Sequence, residues 1–301
     1  MVGRRRGDWQ AGECDAPDAS FRSCFDFTLH VNYMKERRKA IVFLGGGRIT
    51  GALSAGLRLA GDWRPIVVYD RHPEKVRALR RESRAEIARD LKSALVAAQV
   101  VIVAVRPSSV KMILDEVVAS GAKLPQLWMS LAAGIPLANL GRWLPSVRWV
   151  RVMPSPVCRI GKGLNPVSFA ENVPVRERRQ VRKLLAQVGY TFEIPERQMD
   201  AITATHSSTH GYHALAALAA AARSVGLDDK IALIAAAHAL GDGIFYWRES
   251  GLSLDELLAE AATPGGIAAA TMAAMDRAGY ARVVAKGLAA GVAQARRNAR
   301  R

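Results

Sequence analysis

Apolar and polar positions change rhythm once along this 301-residue chain. From Lys39 to about Glu196, short apolar runs alternate with stretches in which apolar residues recur every three or four positions; beyond that point only the helical period continues. The first run, residues 41–44, predicts a buried strand and is followed by a helix to about Ala60. Residues 66–69 predict a second strand, and Pro73, which suits a first helical turn, opens a helix to about Ser83. A weak strand near Ile87, a helix over 91–97, a fully buried strand over 100–105 and a helix over 109–119 come next. Strands over 127–132 and 147–153, a polar helix over 175–188 and a strand over 190–194 complete this part. Such alternation predicts an α/β fold, with a parallel sheet covered by helices on both faces. The rest of the chain predicts helices over 212–225, 230–240, 253–262, 267–274 and 282–298, dominated by alanine. Alanine favours helix but buries little area, so these helices are expected to pack closely and to need a partner.

The joint between the first strand and its helix reads Gly45-Gly46-Gly47-Arg48-Ile49. Glycine lets the backbone turn tightly and approach a pyrophosphate, which would rest on the amides of the helix start. Glycine turns also join strands to helices with no ligand present. Context decides: nineteen residues after Gly51, the run 66–69 ends in Asp70, where a Rossmann-type dinucleotide fold places the acid that bonds the adenosine ribose. Asp70 favours a free ribose hydroxyl, whereas Arg71 and Arg48 would welcome a phosphate, so NADH and NADPH both stay open. Other loops at the carboxyl ends of the strands are Ala104-Val105-Arg106-Pro107, Ala132-Ala133-Gly134 and Met153-Pro154-Ser155-Pro156, each of which is also ordinary turn chemistry.

Composition narrows the class without changing the fold. Half the residues are hydrophobic and 6% aromatic, with no apolar run of membrane-spanning length. Of three cysteines, Cys14 and Cys24 fall in the first 33 residues and Cys158 in the body, which speaks against a disulfide framework and for a reducing cytoplasm. The formal charge of +16 lies mostly in the body. It reads as solvated helix faces and attraction for anionic ligands; neither zinc-finger spacing nor a basic patch interleaved with aromatics supports a nucleic-acid partner. Residues 1–33 follow neither period and lack a secretory core, so Met34 reads as a native start, with 1–33 either disordered or outside the native frame. The expected division is 34–196 for dinucleotide binding and 197–301 for the helices.

Two stretches of the helical part carry candidate chemistry. In Thr263-Pro264-Gly265-Gly266, Thr263 suits a helix cap and Pro264 the first helical position, and the glycines leave amides bare for a carboxylate or phosphate; an ordinary cap between helices fits equally. His206, His210 and His213, spaced four and three apart, could share one face of the first long helix as metal ligands, as pocket residues that touch substrate or donate a proton, or as packing. No carboxylate or cysteine accompanies them locally, and no metal is expected.

The order of motifs is the most specific signal. A glycine turn, Ala104 to Pro107, Ser130-Leu-Ala-Ala-Gly134, Arg151-Val-Met-Pro154, Asp200-Ala-Ile-Thr-Ala204, Tyr212, Glu249-Ser-Gly and Thr263-Pro-Gly-Gly266 together resemble pyrroline-5-carboxylate reductase, from about Lys39 to Arg297. The resemblance implies a Rossmann domain followed by an all-α dimerisation domain, a homodimer that often assembles further, and reduction of a small cyclic imine in the last step of proline synthesis. By position, Gly45 to Ile49, Ala104 to Pro107 and Ala132 to Gly134 would hold the cofactor, with NADPH favoured. Glu249 and Thr263, Pro264, Gly265, Gly266, Ile267 and Ala268 would frame the substrate, with His206 or His210 as a proton source or pocket wall. The chain departs from the family at Thr50 and Arg48 in the turn, at Ser155, across Ser207 to Tyr212, at His206 where a serine is usual, and at Ile267 where a threonine is expected. These departures crowd the substrate pocket, so a reductase of another cyclic imine acid, or a non-catalytic dinucleotide-binding protein, are the rival readings.

Overall fold

A computed structural model describes residues 40–300; the segment 1–33 and its two cysteines lie outside the described residues. Strand β1 (Ala40–Leu44) lies between β2 (Ile66–Tyr69) and β4 (Ala98–Val103), and β3 (Glu86–Ile87) closes that edge. Beyond β4 come β5 (Leu127–Ser130), β6 (Arg148–Val152), β7 (Gly163–Phe169) and β8 (Gly189–Glu193), giving the order β3-β2-β1-β4-β5-β6-β7-β8. All pairs are parallel except β6 with β7.

The apolar runs form strands because both sheet faces are covered. On one face Ile41, Phe43, Val68, Ile102 and Met129 meet the helices Arg48–Leu59, Pro73–Ser83 and Val175–Ala186. On the other, Val42, Leu44, Val101 and Trp128 meet Leu91–Ala97, Val110–Ala119 and Leu137–Trp143. Trp128 and Trp149, in register across β5 and β6, pack edge to face with centroids 5.5 Å apart. Each indole N–H donates to a backbone carbonyl, of Pro125 and Leu144 respectively, so burial leaves neither unsatisfied.

Four departures from the sequence expectation have physical causes. Strand β7 was not expected, because Asn165, Pro166 and Ser168 interrupt its apolar character. Buried Asn165 is accommodated by accepting from the Cys158 thiol and donating to the Leu185 carbonyl. Burial pushes that thiol up to about 12, which makes Cys158 an unreactive core residue. The helix expected to stop at Leu240 runs Asp229–Ser250, straight through Gly241 and Gly243. Short helices Leu137–Trp143 and Met199–Thr205 carry too few apolar positions to register as periodic. The helix expected from Tyr212 starts at Ser208, capped by Ser207.

After Met199–Thr205 the chain continues through Ser208–Ser224, Asp229–Ser250, Leu254–Ala261, Ile267–Arg277 and Tyr280–Ala299. The last of these returns to the sheet half, where Ala295 lies close against Gly134. Among the described residues no helix is long and apolar enough to cross a membrane.

Candidate functional site

The glycine turn is built by close approach. Gly45 has φ +110°, and a Cβ there would stand 2.8 Å from the Ala104 carbonyl oxygen, so neither the conformation nor the space admits a side chain. A Cβ on Gly46 would meet Val76 at 2.9 Å, while Gly47 opens on empty space and leads into the helix without a side-chain cap. The residue where the family has a third glycine, Thr50, is buried, and its hydroxyl donates to the Gly45 carbonyl at 2.6 Å, fastening the bend. Tight packing of this helix is carried instead by Gly56, whose Cβ position lies 2.1 Å from the Cys158 carbonyl oxygen.

The charged residues around the bend divide into tied and untied. Asp70 accepts from the Gly46 amide at 2.7 Å and the His72 amide at 2.8 Å, so it braces the turn itself. Arg71 reaches across to Glu116 and to the Met112 sulfur, whereas Arg48 is exposed and makes no ion pair among the described residues. Ile49, beside it, is half-buried.

The neighbouring loops come together at the same end of the sheet. The Ala104 amide donates to Leu44 at 2.8 Å, which carries Val105, exposed Arg106 and Pro107 past the bend. Gly134 has φ +81°, and its Cβ position lies 2.2 Å from the Ala295 carbonyl oxygen, so the last helix rests directly on the loop of Ala132 and Ala133. Asn298 donates to the Ala133 carbonyl at 3.3 Å, and Asn139 to that of Ala299 at 3.0 Å.

Strand β6 is the hub between sheet and helices. Arg151 is 2% exposed, and its Nη2 lies 2.5 Å from Asp200 Oδ1, while Nη1 is 3.6 Å from Glu196. Glu196 in turn accepts from the Leu137 amide at 2.6 Å. The His206 ring bridges two backbone carbonyls, Nδ1 to Ile202 at 2.7 Å and Nε2 to Met153 at 2.8 Å. His210 Nε2 faces the Ala204 carbonyl at 2.5 Å, and His213 is exposed. Because Ser207 caps the helix, His206 lies before it, and the shared helical face that the spacing predicted holds only His210 and His213. Both ring nitrogens of His206 thus lie within hydrogen-bonding distance of backbone carbonyls.

Glu249 and the glycine pair lie elsewhere. Glu249 is exposed near the end of the Asp229–Ser250 helix, which Gly251 terminates in the left-handed conformation. The cap of the next-but-one helix is Gly266 rather than Thr263: the Gly266 amide donates to the Thr263 carbonyl at 2.8 Å, and Thr263, Pro264 and Gly265 form the turn before it. Ile267 is 88% exposed at the helix start, followed by exposed Ala268. Among the described residues no hydrogen bond or ion pair joins Glu249 or residues 263–268 to the sheet half of the same chain. A cavity of about 420 Å³ beside Asp62, Arg64, Gln99 and Lys183 lies at the opposite, amino end of the strands and contains none of the residues above.

Residues 40–134 match the family described as NADP oxidoreductase coenzyme F420-dependent, and residues 196–298 match the pyrroline-5-carboxylate reductase dimerisation family. Pyrroline-5-carboxylate reductase of Mycobacterium leprae is 29% identical over 269 residues, covering 81% of this chain and 91% of that protein. The reductase of Corynebacterium melassecola is 30% identical over 246 residues, covering 79% and 91%. In fold the chain is similar to the crystal structure of Plasmodium falciparum pyrroline carboxylate reductase with NADP bound, with a TM-score of 0.77 at 18% identity over 87% of this chain and 98% of that one. With 30% identity to a relative of which it covers 91%, and a match to the dimerisation family over residues 196–298, this chain belongs to the pyrroline-5-carboxylate reductase family.

Proposed function

We propose that this protein reduces 1-pyrroline-5-carboxylate to L-proline with NADPH as the reductant, as a homodimer in the cytoplasm. The observation that carries the reading is family membership across both parts of the chain, together with a glycine bend shaped to receive a dinucleotide. The bend passes a test of fit: a tight turn at Gly45 held against the Ala104 carbonyl, open space over Gly47, a helix start with no side-chain cap, and the untied cation Arg48.

On this reading Gly45, Gly46, Gly47, Arg48 and Ile49 hold the diphosphate, and Asp70 and Arg71 border the adenosine ribose with its 2′-phosphate. The loops of Ala104, Val105, Arg106 and Pro107 and of Ala132, Ala133 and Gly134 flank the nicotinamide end. When bound, NADPH supplies the hydride that forms the new C–H bond at the imine carbon, and the ring nitrogen takes up a proton. Protonated imines accept hydride readily, so the chain's task is to orient the two reactants and to match their charges. Amides of Gly265 and Ile267, at a helix start with no side-chain acceptor, hold the substrate carboxylate, the Gly266 amide being held by the Thr263 carbonyl, and Glu249 faces the cationic nitrogen. These groups are separate from the sheet edge within one chain, which supports a site completed by the second copy of the dimer.

A second reading keeps the chemistry and changes the ring. The exposed apolar side chain of Ile267 at the carboxylate-binding turn favours a bulkier or more apolar cyclic imine acid. Assaying purified protein with NADPH against a panel of five- and six-membered imine carboxylates separates the two. The five-membered ring is expected to give the highest kcat/KM, and turnover confined to another ring would displace the proline assignment.

A further inference from the structure

We propose that His206 is a positioning residue: with its ring set between the Met153 and Ile202 carbonyls, it fixes the helical half against the carboxyl edge of the sheet and sets where a bound imine lies. The inference rests on the proposed reductase reading for its kinetic consequence, but not for its geometry.

Met153 is the first residue beyond β6, in the turn that carries the chain from the sheet's carboxyl edge toward β7. The far side of that turn is already held, since the Met153 amide donates to Pro166 at 3.2 Å and the Ser155 amide to Leu164 at 3.1 Å. Its near side is held by His206, which reaches 53 residues back along the chain. The same ring folds over the end of the Met199–Thr205 helix, where the backbone amide of His206 also donates to Ile202 at 2.9 Å. One side chain therefore joins a sheet turn to the joint between two helices.

The Nε2 contact to Met153 is the one that spans the two halves, and a single N–H on that nitrogen is enough to make it, because the carbonyl only accepts. The nearby charges are already committed to one another, with Arg151 on β6 paired to Asp200 and lying close to Glu196. His206 thus adds a third tie to a hub that otherwise rests on Arg151. Its partner Met153 is itself the first residue of a loop at the carboxyl ends of the strands, where a slip of about 1 Å between the halves can cost on the order of 100-fold in rate.

Two measurements test the bridge. In wild-type protein labelled with ¹⁵N-histidine, NMR is expected to find Nε2 of His206 as an N–H hydrogen-bonded to the Met153 carbonyl; an Nε2 that carries no proton would overturn the proposal. In His206→Ser, whose hydroxyl reaches one carbonyl at most, hydrogen exchange is expected to rise at residues 153–155 and 200–208 while staying unchanged in β1 and β2. The same variant is expected to keep its NADPH dissociation constant within about twofold and to lose about 10- to 100-fold in kcat. Unaltered exchange and kcat, or loss of NADPH affinity in step with kcat, would contradict positioning. If the variant does not fold, the wild-type NMR result decides. If wild-type protein reduces no imine, the functional reading fails while NMR and exchange still judge the bridge.

Discussion

The two halves of this molecule solve the problem of burial differently. The sheet half closes on itself, with Trp128, Trp149, Phe43, Ile41 and Leu44 all fully buried between helices of the same chain. Along the helices that follow Ser207, the buried residues are Ala219, Ala232, Ala236 and Ala295, while Ile231, Ile234, Phe245 and Trp247 stand about half exposed or more, Phe245 at 67%. Fully burying one such side chain contributes roughly 1.5–3 kcal/mol, so a face of this size left in water is a large stability deficit. The first half thus encodes a domain and the second an interface, in keeping with its match to a dimerisation family and with a homo-oligomer.

The comparison breaks most visibly if that face is charged. Ile234→Glu combined with Phe245→Glu should give a monomer by sedimentation, with early melting of the helical half and little loss of sheet structure by circular dichroism. A variant that remained dimeric would show that the interface lies elsewhere. The tie between the halves is the next largest effect. Asp200→Ala leaves Arg151 buried without its main partner and should cost about 3 kcal/mol in urea denaturation, whereas adding Arg151→Met should restore much of the loss. Equal losses in the single and double variants would remove the buried-charge explanation.

The smallest effect is confined to the sheet half. Burial raises the Asp62 carboxyl, but hydrogen bonds and charge from Arg64, with a further hydrogen bond from Gln187, more than reverse this and leave it below the usual carboxylate range. Its contribution is therefore complete above the ordinary aspartate value near pH 4 and fades as pH falls below it. Asp62→Asn should lower stability slightly at neutral pH and flatten the acid limb below about pH 4. The thermal midpoint followed against pH checks the sign.

Much of this organisation was legible in the residues. β1, β2 and β4 announce themselves because strands covered on both faces must be apolar throughout, and Gly45 marks a bend that no side chain could enter. Strand β7 was hidden because its polar residues are satisfied by partners distant in sequence, such as Asn165 with Leu185. Gly241 and Gly243 suggested a helix end, yet they sit mid-helix. Asp70 follows β2 as the apolar run predicts, but its bracing of Gly46 emerges only when the two loops are side by side. The spacing of the histidines carried no trace of Met153, because the contact that defines His206 is made through the fold rather than along a helix.

The account turns on the glycine bend, and NADPH titration followed by nicotinamide fluorescence tests it directly in wild type and in Gly45→Ala. Wild type should bind saturably. The alanine variant, strained at φ +110° and pressed against the Ala104 carbonyl, should bind at least about tenfold more weakly, or ~1.4 kcal/mol, with its secondary structure retained. Equal affinity in the two proteins, or no binding in either, would contradict the assignment of this bend as the dinucleotide site.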